Sequence, residues 1–367
     1  MSGTSLDGVD AVAACFDGPA QAVDLLGHVH QPYSAELRQQ MLALNHPGPD
    51  ELHRAALASN ALARAYNSTV TMLLQDCQLS SGMIAALGAH GQTVRHRPGE
   101  FDGTGYTLQL LNGALLAELS GITVINDFRS RDVAAGGQGA PLVPAFHQAM
   151  FGQAGLSRAV LNIGGMANLT LLGADEQVLG FDCGPGNVLL DLWCNRHLNC
   201  PYDEDGRWAS QGRVIGSLLA GMLDDPFIKC KPPKSTGRDH FNAEWLDRLL
   251  MAEGAAHSAL APKDVQATLT EFTAQSAVAS ALTAQPDTAQ LLVCGGGALN
   301  AYLMQRLQAH SAGLRVSSTL TAGIDPMQVE AAAFAWLAKA FLAHQPGNLT
   351  EVTGAAGLRS LGALYPA

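Results

Sequence analysis

The most informative parts of this chain are two short segments, NIGGMANLT at residues 162–170 and GFDCGPGN at residues 180–187. The first contains an apolar strand, the glycine pair Gly164-Gly165 and a second strand, which is the pattern of a β-hairpin. The tip of such a hairpin has no side chains to keep an anionic ligand away from the backbone N–H groups. The segment therefore predicts a phosphate-binding turn.

The second segment sets one carboxylate, Asp182, between an apolar strand and a Gly-Pro-Gly turn that opens a helix at Asn187. A phosphate-binding turn beside a fixed carboxylate indicates phosphoryl transfer in which some group must also lose a proton. The alternative is that Asp182 only caps the turn formed by residues 184–186.

Composition limits the possible functions. A chain of 367 residues with 47% apolar and 14% charged residues is long enough for two domains with sizeable cores. No apolar run approaches the roughly 20 residues of a membrane span, and the N-terminus does not resemble a signal peptide. The net charge of −11 argues against nucleic acid or an anionic membrane as a partner. An anionic substrate would therefore need a local basic pocket, mostly of arginine, since the chain has only five lysines.

The cysteine pattern favours a reducing compartment. There are seven cysteines, an odd number, and no C-x-x-C pair. This usage is typical of reduced cytoplasmic thiols rather than of a disulfide framework or a zinc site.

Strands, glycine turns and helices alternate along the chain. Strands are predicted at 9–16, 84–89, 122–126, 159–163, 168–172 and 290–294. One helix is predicted at 51–79, a second begins at 187, a long helical region ends at 283, and a final helix begins near 326. A glycine-rich stretch at 135–140, followed by prolines at 141 and 144, is the best domain boundary and hinge. A weak echo of the 159–172 hairpin is predicted near residues 2–16.

Several motifs together resemble the anhydro-N-acetylmuramic acid kinase family. In the first half these are GTSLDGVD at 3–10, HGQT at 90–93 and INDFR at 125–129. In the second half they are the two opening segments, KSTGR at 234–238 and CGGGALN at 294–300. The match runs in order over nearly the whole chain, so it is far more specific than any single glycine loop.

The resemblance implies an α/β protein with the two-lobed actin/hexokinase-like (ribonuclease H-like) fold and the nucleotide in the inter-lobe cleft. Residues 1–140, rejoined by 341–367, would form the first lobe on the sugar and phosphate side. Residues 141–340 would form the second lobe on the ATP side. The implied activity uses ATP and Mg²⁺ to phosphorylate 1,6-anhydro-N-acetylmuramic acid at O6 with hydrolytic opening of the anhydro ring. The product would be N-acetylmuramic acid 6-phosphate, made in peptidoglycan recycling in the cytoplasm.

The substrate's chemistry explains why one base is enough. O6 is tied to C1 in the anhydro sugar, so a water must attack C1, as in an inverting glycosidase. The phosphoryl group takes the electrons of the departing O6, so no separate acid is needed. The resemblance implies Asp182 as the base that activates this water.

The resemblance also implies binding residues. Asp7 would hold Mg²⁺ through water, although GTSLDGVD could also be a plain hairpin turn. The implied ATP-binding residues are Gly3, Thr4, Ser5, Leu6, Asp7, Gly8, Val9, Asp10, Asn162, Gly164, Gly165, Gly295, Gly296, Gly297 and Asn300. The implied sugar-binding residues are His90, Gln92, Asp127, Arg129, Arg131 and Glu330.

Alternatives stay open for several of these residues. Arg129 and Arg131 either fork onto the lactyl carboxylate of the sugar or form surface salt bridges with Asp127 or Asp132. His90 is equally consistent with a core histidine. Glu330 is explained without function by its place near a helix N-terminus. The loop over 229–242 is predicted to be a mobile surface segment, although its Lys234 and Arg238 are candidates to approach phosphates.

Two departures from the family pattern are visible. The family has an apolar strand before Met-Ser-Gly-Thr-Ser, which is where this sequence begins, so either the start codon is misassigned or the first sheet lacks that strand. Cys183 replaces the more usual threonine after Asp182, and a weak thiol donor is expected to lose a hydrogen bond.

Two other classes of function remain. Another sugar kinase of the same fold would share the phosphate-binding turns but need no hydrolytic water. A nucleotide-driven binding module would keep the turns and lack a sugar pocket. A homodimer is compatible with the family resemblance, but the sequence does not determine the oligomeric state.

Overall fold

A computed structural model describes residues 1–3, 6–16, 23–253, 260–311 and 313–367. The chain divides into two compact units, which are described separately. Unit 1 comprises Met1–Met150 and Gln328–Ala367, and unit 2 comprises Phe151–Met327.

The strands are β1 (Gly8–Cys15), β2 (Asp24–Pro32), β3 (Leu87–Gly88), β4 (Gln92–Pro98), β5 (Gly105–Leu110), β6 (Val124–Asn126), β7 (Arg158–Ile163), β8 (Met166–Leu172), β9 (Val178–Pro185), β10 (Gln290–Cys294), β11 (Arg315–Ser318) and β12 (Ala363–Tyr365). The α-helices are α1 (Ala35–Leu44), α2 (Glu51–Asp76), α3 (Gly113–Ser120), α4 (Ser130–Ala134), α5 (Val143–Phe151), α6 (Val188–Leu198), α7 (Gly216–Leu223), α8 (Pro226–Lys229), α9 (Ala243–Ala252), α10 (Pro262–Ala284), α11 (Ala301–His310), α12 (Val329–Leu342) and α13 (Thr350–Thr353).

Unit 2 is built on a five-stranded sheet with the order β11-β10-β7-β8-β9. The first three strands along the chain, β7, β8 and β9, form an antiparallel meander, while β10 and β11 run parallel to β7. This order and these directions are those of a ribonuclease H-like sheet, and they confirm the predicted fold class. The predicted hairpin at 159–172 and the strand at 290–294 are also confirmed.

Strand alternation gives the two faces of this sheet different roles. Odd-numbered residues of β7, such as Leu161 and Ile163, point into a core that includes Phe181 of β9. Helices α10 and α11 cover this face with small and branched side chains, among them Ala277 and Leu307. Because side chains alternate along a strand, the even-numbered residues emerge on the opposite face. The polar residues of the two opening segments lie there.

Unit 1 contains smaller sheets. Strand β1 pairs antiparallel with β2, β3 and β12 flank β6, and β4 pairs with β5. The predicted hairpin near residues 2–16 is found only in part. Met1 and Asp10 exchange backbone hydrogen bonds of 2.6 and 2.8 Å, whereas β1 begins at Gly8 and pairs along its length with the strand that follows it. Among the described residues, the strand predicted at 84–89 is reduced to Leu87–Gly88, which pairs with β6. A cavity of about 670 Å³ is lined by residues 9–16 and 83–89 among others.

Helices α5 and α12 both pack in unit 1, which corrects the predicted lobe boundaries at 140/141 and 340/341. Phe334 and Leu337 of α12 share a buried cluster with Ile125 of β6 and Phe128. Phe146 of α5 contacts Trp336 edge-on, with ring centroids 6.3 Å apart. Apolar contacts made through the tertiary fold, rather than glycine and proline punctuation, therefore set the boundary.

The glycine-rich stretch at 135–140, predicted as a hinge, lies inside unit 1. The carboxylate of Asp132 is fully buried and accepts hydrogen bonds from the Gly139 N–H, Asn348 Nδ2 and Thr353 Oγ1, each at 2.8 Å. The N–H of Gln138 donates to the carbonyl of Thr353 at 2.7 Å. Asp132 thus joins this stretch to the C-terminal part of the unit.

Within the described residues, no helix is both long enough and apolar enough to cross a bilayer. All seven cysteines lie in described parts of the chain, and none of them forms a disulfide.

Candidate functional site

The turn between β7 and β8 is held by the start of helix α6. The carbonyl of Gly164 accepts a hydrogen bond from the Asn187 N–H at 2.8 Å, and that of Gly165 accepts from Gly186 at 2.9 Å and Val188 at 3.1 Å. A Cβ on Gly186 would lie 2.4 Å from the Gly164 carbonyl oxygen, so only glycine allows this approach. The two predicted motifs therefore form one structure.

The outward side of this turn is open. Among the described residues, no hydrogen-bond acceptor is found for the N–H groups of Gly164 and Gly165. A Cβ on Gly164 would have its nearest neighbour at 3.8 Å, and one on Gly165 would meet only Arg238, at 3.5 Å from Nη2. Adjacent free N–H groups beside a guanidinium suit the oxygens of a phosphoryl group.

A row of polar side chains crosses the sheet beside the turn. Asn162 of β7 is directly opposite Asn168 of β8, which is opposite Asp182 of β9. All three are even-numbered residues, so they emerge on the face opposite the α10 core, and all are partly exposed. Asn168 was not predicted as a site residue, although the hairpin register pairs it with Asn162.

The Asp182 carboxylate is fixed by the loop that follows α8. Its Oδ2 accepts hydrogen bonds from Ser235 Oγ at 2.8 Å and from the Thr236 N–H at 2.9 Å, while the Asp182 N–H donates to the Lys234 carbonyl. Burial raises the pKa of Asp182, and the two hydrogen bonds and Lys234 partly oppose that shift. No contact of Oδ1 is found in the described part of the chain, so that oxygen is available as a base. Asp182 does not cap the Gly-Pro-Gly turn.

This contact anchors part of the loop at 229–242, which is predicted to be a mobile surface segment. Sequence reasoning missed Ser235 and Thr236 as partners of Asp182, because they lie more than fifty positions from it along the chain. The KSTGR motif was the only sequence signal that pointed to them.

Cys183 keeps a hydrogen bond, contrary to the expectation from its weak donor. Its side chain is buried on the core face of β9, and Sγ donates to the carbonyl of Ala167 at 3.3 Å. Burial raises the pKa of this thiol, so it stays protonated. Its neighbour Asp182 points to the opposite face of the sheet.

The three glycines after β10 are needed for close packing, whether or not they also contact a ligand. Gly295 has a φ of +76°, and a Cβ there would lie 2.5 Å from Asn162 Oδ1. A Cβ on Gly297 would lie 2.4 Å from Ile163. Gly296 is open, with Asn187 Nδ2 as its neighbour at 3.6 Å. Asn300 is the N-cap of α11, and its Oδ1 accepts from the Leu303 N–H at 2.9 Å. Of this predicted set, Gly296 is therefore the position most open to a nucleoside.

In unit 1, His90 and Gln92 hold the first residues of the chain. Both are buried. His90 Nε2 accepts from Arg129 Nε at 3.0 Å, so Nδ1 carries the proton and donates to the Ser2 carbonyl at 3.1 Å. Burial, with the Arg129 charge, holds the pKa of His90 well below its usual range. Gln92 Nε2 donates to the carbonyl of Gly3 at 3.0 Å. These contacts favour positioning of the 2–10 segment over direct contact with a sugar.

The two predicted arginines have different surroundings. Arg129 donates from Nε to His90 and from Nη1 to the Gly139 carbonyl at 2.7 Å. Burial lowers the pKa of Arg129 to about 10, although Glu330 and Asp132 oppose that shift. Arg131 is exposed, and no ion pair to it is found among the described residues. The salt bridges proposed as the alternative role for these arginines are thus absent from the described residues.

Glu330, Asp10 and Asp7 of unit 1 interact electrostatically. Glu330 is in the first turn of α12 and keeps contact with solvent, but the surrounding protein desolvates it and raises its pKa. Arg129 opposes this shift, and Asp10 and Asp7 add to it. Burial alone would raise the pKa of Asp10, but hydrogen bonds from His28 and, more weakly, His30 lower it overall.

The other predicted residues of unit 1 are less informative. Leu6 and Val9 are buried, and Gly8 packs against the backbone of β2. Asp127 Oδ1 accepts from Ser130 Oγ at 2.5 Å. Thr4 and Ser5 lie outside the described residues.

The chain is similar to known proteins over its whole length. A family model described as anhydro-N-acetylmuramic acid kinase matches residues 1–367. A protein of that name from Variovorax paradoxus (strain S110) is 57% identical over 374 residues, covering 100% of this chain and 98% of the relative. Another, from Pseudomonas paraeruginosa (strain DSM 24068 / PA7), is 52% identical over 367 residues, covering 100% and 98%.

Solved structures give weaker similarities. The activator of the 2-hydroxyisocaproyl-CoA dehydratase from Clostridium difficile, with bound ADPNP, matches with 12% identity and a TM-score of 0.35, covering 65% of this chain and 88% of that one. A ROK hexokinase from Thermus thermophilus matches with 15% identity and a TM-score of 0.32, covering 88% and 97%.

Proposed function

The chain belongs to the anhydro-N-acetylmuramic acid kinase family, and we propose that it transfers the γ-phosphoryl group of ATP to O6 of 1,6-anhydro-N-acetylmuramic acid with hydrolytic opening of the anhydro ring. The product is N-acetylmuramic acid 6-phosphate, a step of peptidoglycan recycling. The observation that best supports the proposal is the Asp182 carboxylate, fixed at Oδ2 and open at Oδ1 beside the Gly164-Gly165 turn.

Asp182 acts as the general base in this mechanism. Its Oδ1 accepts a proton from a water that attacks C1 of the sugar, and the C1–O6 bond breaks. O6 attacks the γ-phosphorus, so the electrons of the broken bond form the new O–P bond and ADP leaves. The raised pKa of Asp182 makes it a stronger base than an ordinary aspartate.

The ATP-binding residues proposed from the sequence are retained, with the open Gly164-Gly165 turn for the phosphates and Gly296 for the nucleoside side. Asp7, with Glu330 near it electrostatically, is suited to Mg²⁺. The described residues contain no group of three or more His, Cys, Asp or Glu side chains placed to bind a metal. Mg²⁺ does not require one, since it keeps several waters and takes one or two carboxylates with substrate phosphates. Bound there, it would neutralise phosphate charge.

We further propose that the enzyme works in the cytoplasm. The cysteines, none of which forms a disulfide, and the class of substrate are consistent with that location. A homodimer remains a proposal that sedimentation would test.

Product analysis tests the function directly. The purified protein is incubated with ATP, Mg²⁺ and the anhydro sugar, and product masses are read. We expect a sugar heavier by one phosphoryl group plus one water. A phosphorylated sugar with the anhydro ring intact would identify another sugar kinase, and ATP hydrolysis without any sugar product would identify a nucleotide-driven binding module.

Arg131 is proposed to bind the lactyl carboxylate of the sugar. Arg129 is less suited to this role, because its Nε and Nη1 already donate hydrogen bonds to His90 and Gly139. Charge-assisted hydrogen bonds contribute roughly 1.5–3 kcal/mol, so Arg131→Ala should lower kcat/KM for the muramic substrate by about 10- to 100-fold. Anhydro-N-acetylglucosamine, which lacks the carboxylate, should be unaffected. Arg129→Ala should instead impair both sugars, since it releases His90.

Steady-state kinetics with both sugars measure this selectivity, and Arg213→Ala, an exposed arginine of unit 2, is the control. Equal losses for the two sugars in Arg131→Ala would show that the lactyl group is recognised elsewhere.

A further inference from the structure

Arg238 is the basic residue that lies over the Gly164-Gly165 turn. An ideal Cβ on Gly165 would be 3.5 Å from its Nη2 and 4.0 Å from its Nε. The guanidinium is exposed, and within the described residues no hydrogen bond or ion pair to it is found. An arginine without a partner at an open turn has five donors available for an incoming anion.

The backbone around Arg238 is held on both sides. On one side, the Thr236 N–H donates to the Asp182 carboxylate. On the other, the Gly237 carbonyl accepts from the N–H groups of His240 and Phe241, each at 3.1 Å. Phe241 is fully buried among aromatic rings. The loop thus fixes where the guanidinium emerges, although the side chain itself is exposed.

The other basic residue of KSTGR has a structural role. Lys234 Nζ donates to the carbonyls of Phe227 and Ile228 at 3.1 and 3.2 Å, and it lies over the Phe227 ring. Its ammonium group is therefore directed at α8. Of the two cations in the motif, only Arg238 faces the turn.

Asp191, on α6, interacts electrostatically with Arg238. Burial raises the pKa of Asp191 to about 7, although the Arg238 charge opposes that shift. Near neutral pH this carboxyl is therefore only partly ionised, and the guanidinium charge is not fully neutralised by the protein. A phosphoryl group would supply the missing negative charge.

We propose that Arg238 binds the γ-phosphoryl group of ATP and stabilises it during transfer, together with the Gly164 and Gly165 N–H groups. The proposal deepens the kinase function given above and rests on it. Negative charge in the transition state is spread over the three equatorial phosphoryl oxygens, which a guanidinium fork can contact in pairs. No bond to Arg238 forms or breaks. The Lys234–Arg238 loop therefore has two roles. Ser235 and Thr236 fix the Asp182 carboxylate, and Arg238 contacts the γ-phosphoryl group.

Nucleotide affinities test the contact without any sugar. The Kd values of ADP and of the non-hydrolysable analogue ADPNP are measured by calorimetry for the wild type and for Arg238→Ala. We expect ADP affinity to be unchanged and ADPNP affinity to fall by about 10-fold, because only ADPNP carries the γ group. Lys231→Ala, an exposed cation of the same loop, is the control and should change neither value.

Kinetics provide the second test. Arg238→Ala should lower kcat by about 10²–10³-fold, with little change in KM for the sugar, and added methylguanidine should restore part of the rate. Arg238→Lys, which keeps the charge but loses the fork, should be intermediate and covers the case in which the alanine variant fails to fold.

An ADPNP-to-ADP affinity ratio that is the same in the wild type and in a folded Arg238 variant would overturn the proposal. A wild type that makes no phosphorylated sugar would instead contradict the proposed function, and the affinity ratio would still decide whether Arg238 contacts the γ-phosphoryl group.

Discussion

Asp182→Asn is expected to lower turnover by about 10²–10⁴-fold, the usual contribution of a general base. Asparagine has the shape of aspartate and can still accept from Ser235 and Thr236, so the loop should remain anchored. The Kd of ADPNP and the binding of the anhydro sugar should therefore stay close to wild type. Rapid-quench and steady-state kinetics measure the loss, and near wild-type turnover would remove Asp182 from the base role.

The pH profile of kcat gives an independent test. Burial raises the folded-state pKa of Asp182, so the rate should fall on the acid side at a pH above the ordinary aspartate value. The Ser235 hydrogen bond favours the ionised carboxylate and so lowers this pKa. Ser235→Ala should therefore move the acid limb to higher pH while the rate on the plateau is largely kept. An acid limb that does not move would mean that another group controls it.

Gly186→Ala is expected to disturb the Gly164-Gly165 turn directly. Its Cβ would lie 2.4 Å from the Gly164 carbonyl oxygen and 3.2 Å from Ile163 Cγ2, so the turn must shift away from α6. Overpacking of this kind costs about 1–3 kcal/mol. Because a 1 Å misplacement near a reacting group can cost about 10²-fold in rate, kcat/KM for ATP should fall by that order.

Gly164→Ala is the matched control for stability, since its Cβ would have its nearest neighbour at 3.8 Å. Urea unfolding followed by circular dichroism should show a change within about 0.5 kcal/mol for this variant, as for a surface substitution. Similar unfolding curves for the two variants would show that the contact between the turn and α6 is not tight.

Local pattern was enough to predict much of unit 2. The alternation of apolar residues around Gly164-Gly165 predicts the β7–β8 hairpin, and the run at 290–294 predicts β10 at its observed bounds. The family resemblance implied Asp182, and its position in an apolar strand beside a glycine turn is consistent with that role. These features depend on neighbours in the sequence, so the sequence contains all the information they need.

The sequence could not show contacts between residues that are distant along the chain. His90 and Gln92 end a predicted strand, which made them candidates for sugar contact, but their polar atoms bond to Ser2 and Gly3. The stretch at 135–140 resembles a hinge by composition, yet the buried carboxylate of Asp132 fastens it to residues near 350.

Sequence periodicity and motifs therefore predicted the class of fold, the glycine turn and the family, and the family resemblance implied the candidate base. The tertiary structure was needed to bring Asn168 opposite Asp182, to direct Lys234 toward α8 and to place Arg238 over Gly165. The physical reason is that strand register and loop anchoring depend on hydrogen bonds between segments that are far apart in the chain. A side chain's neighbours across a sheet, and hence its chemistry, are fixed only when those bonds form.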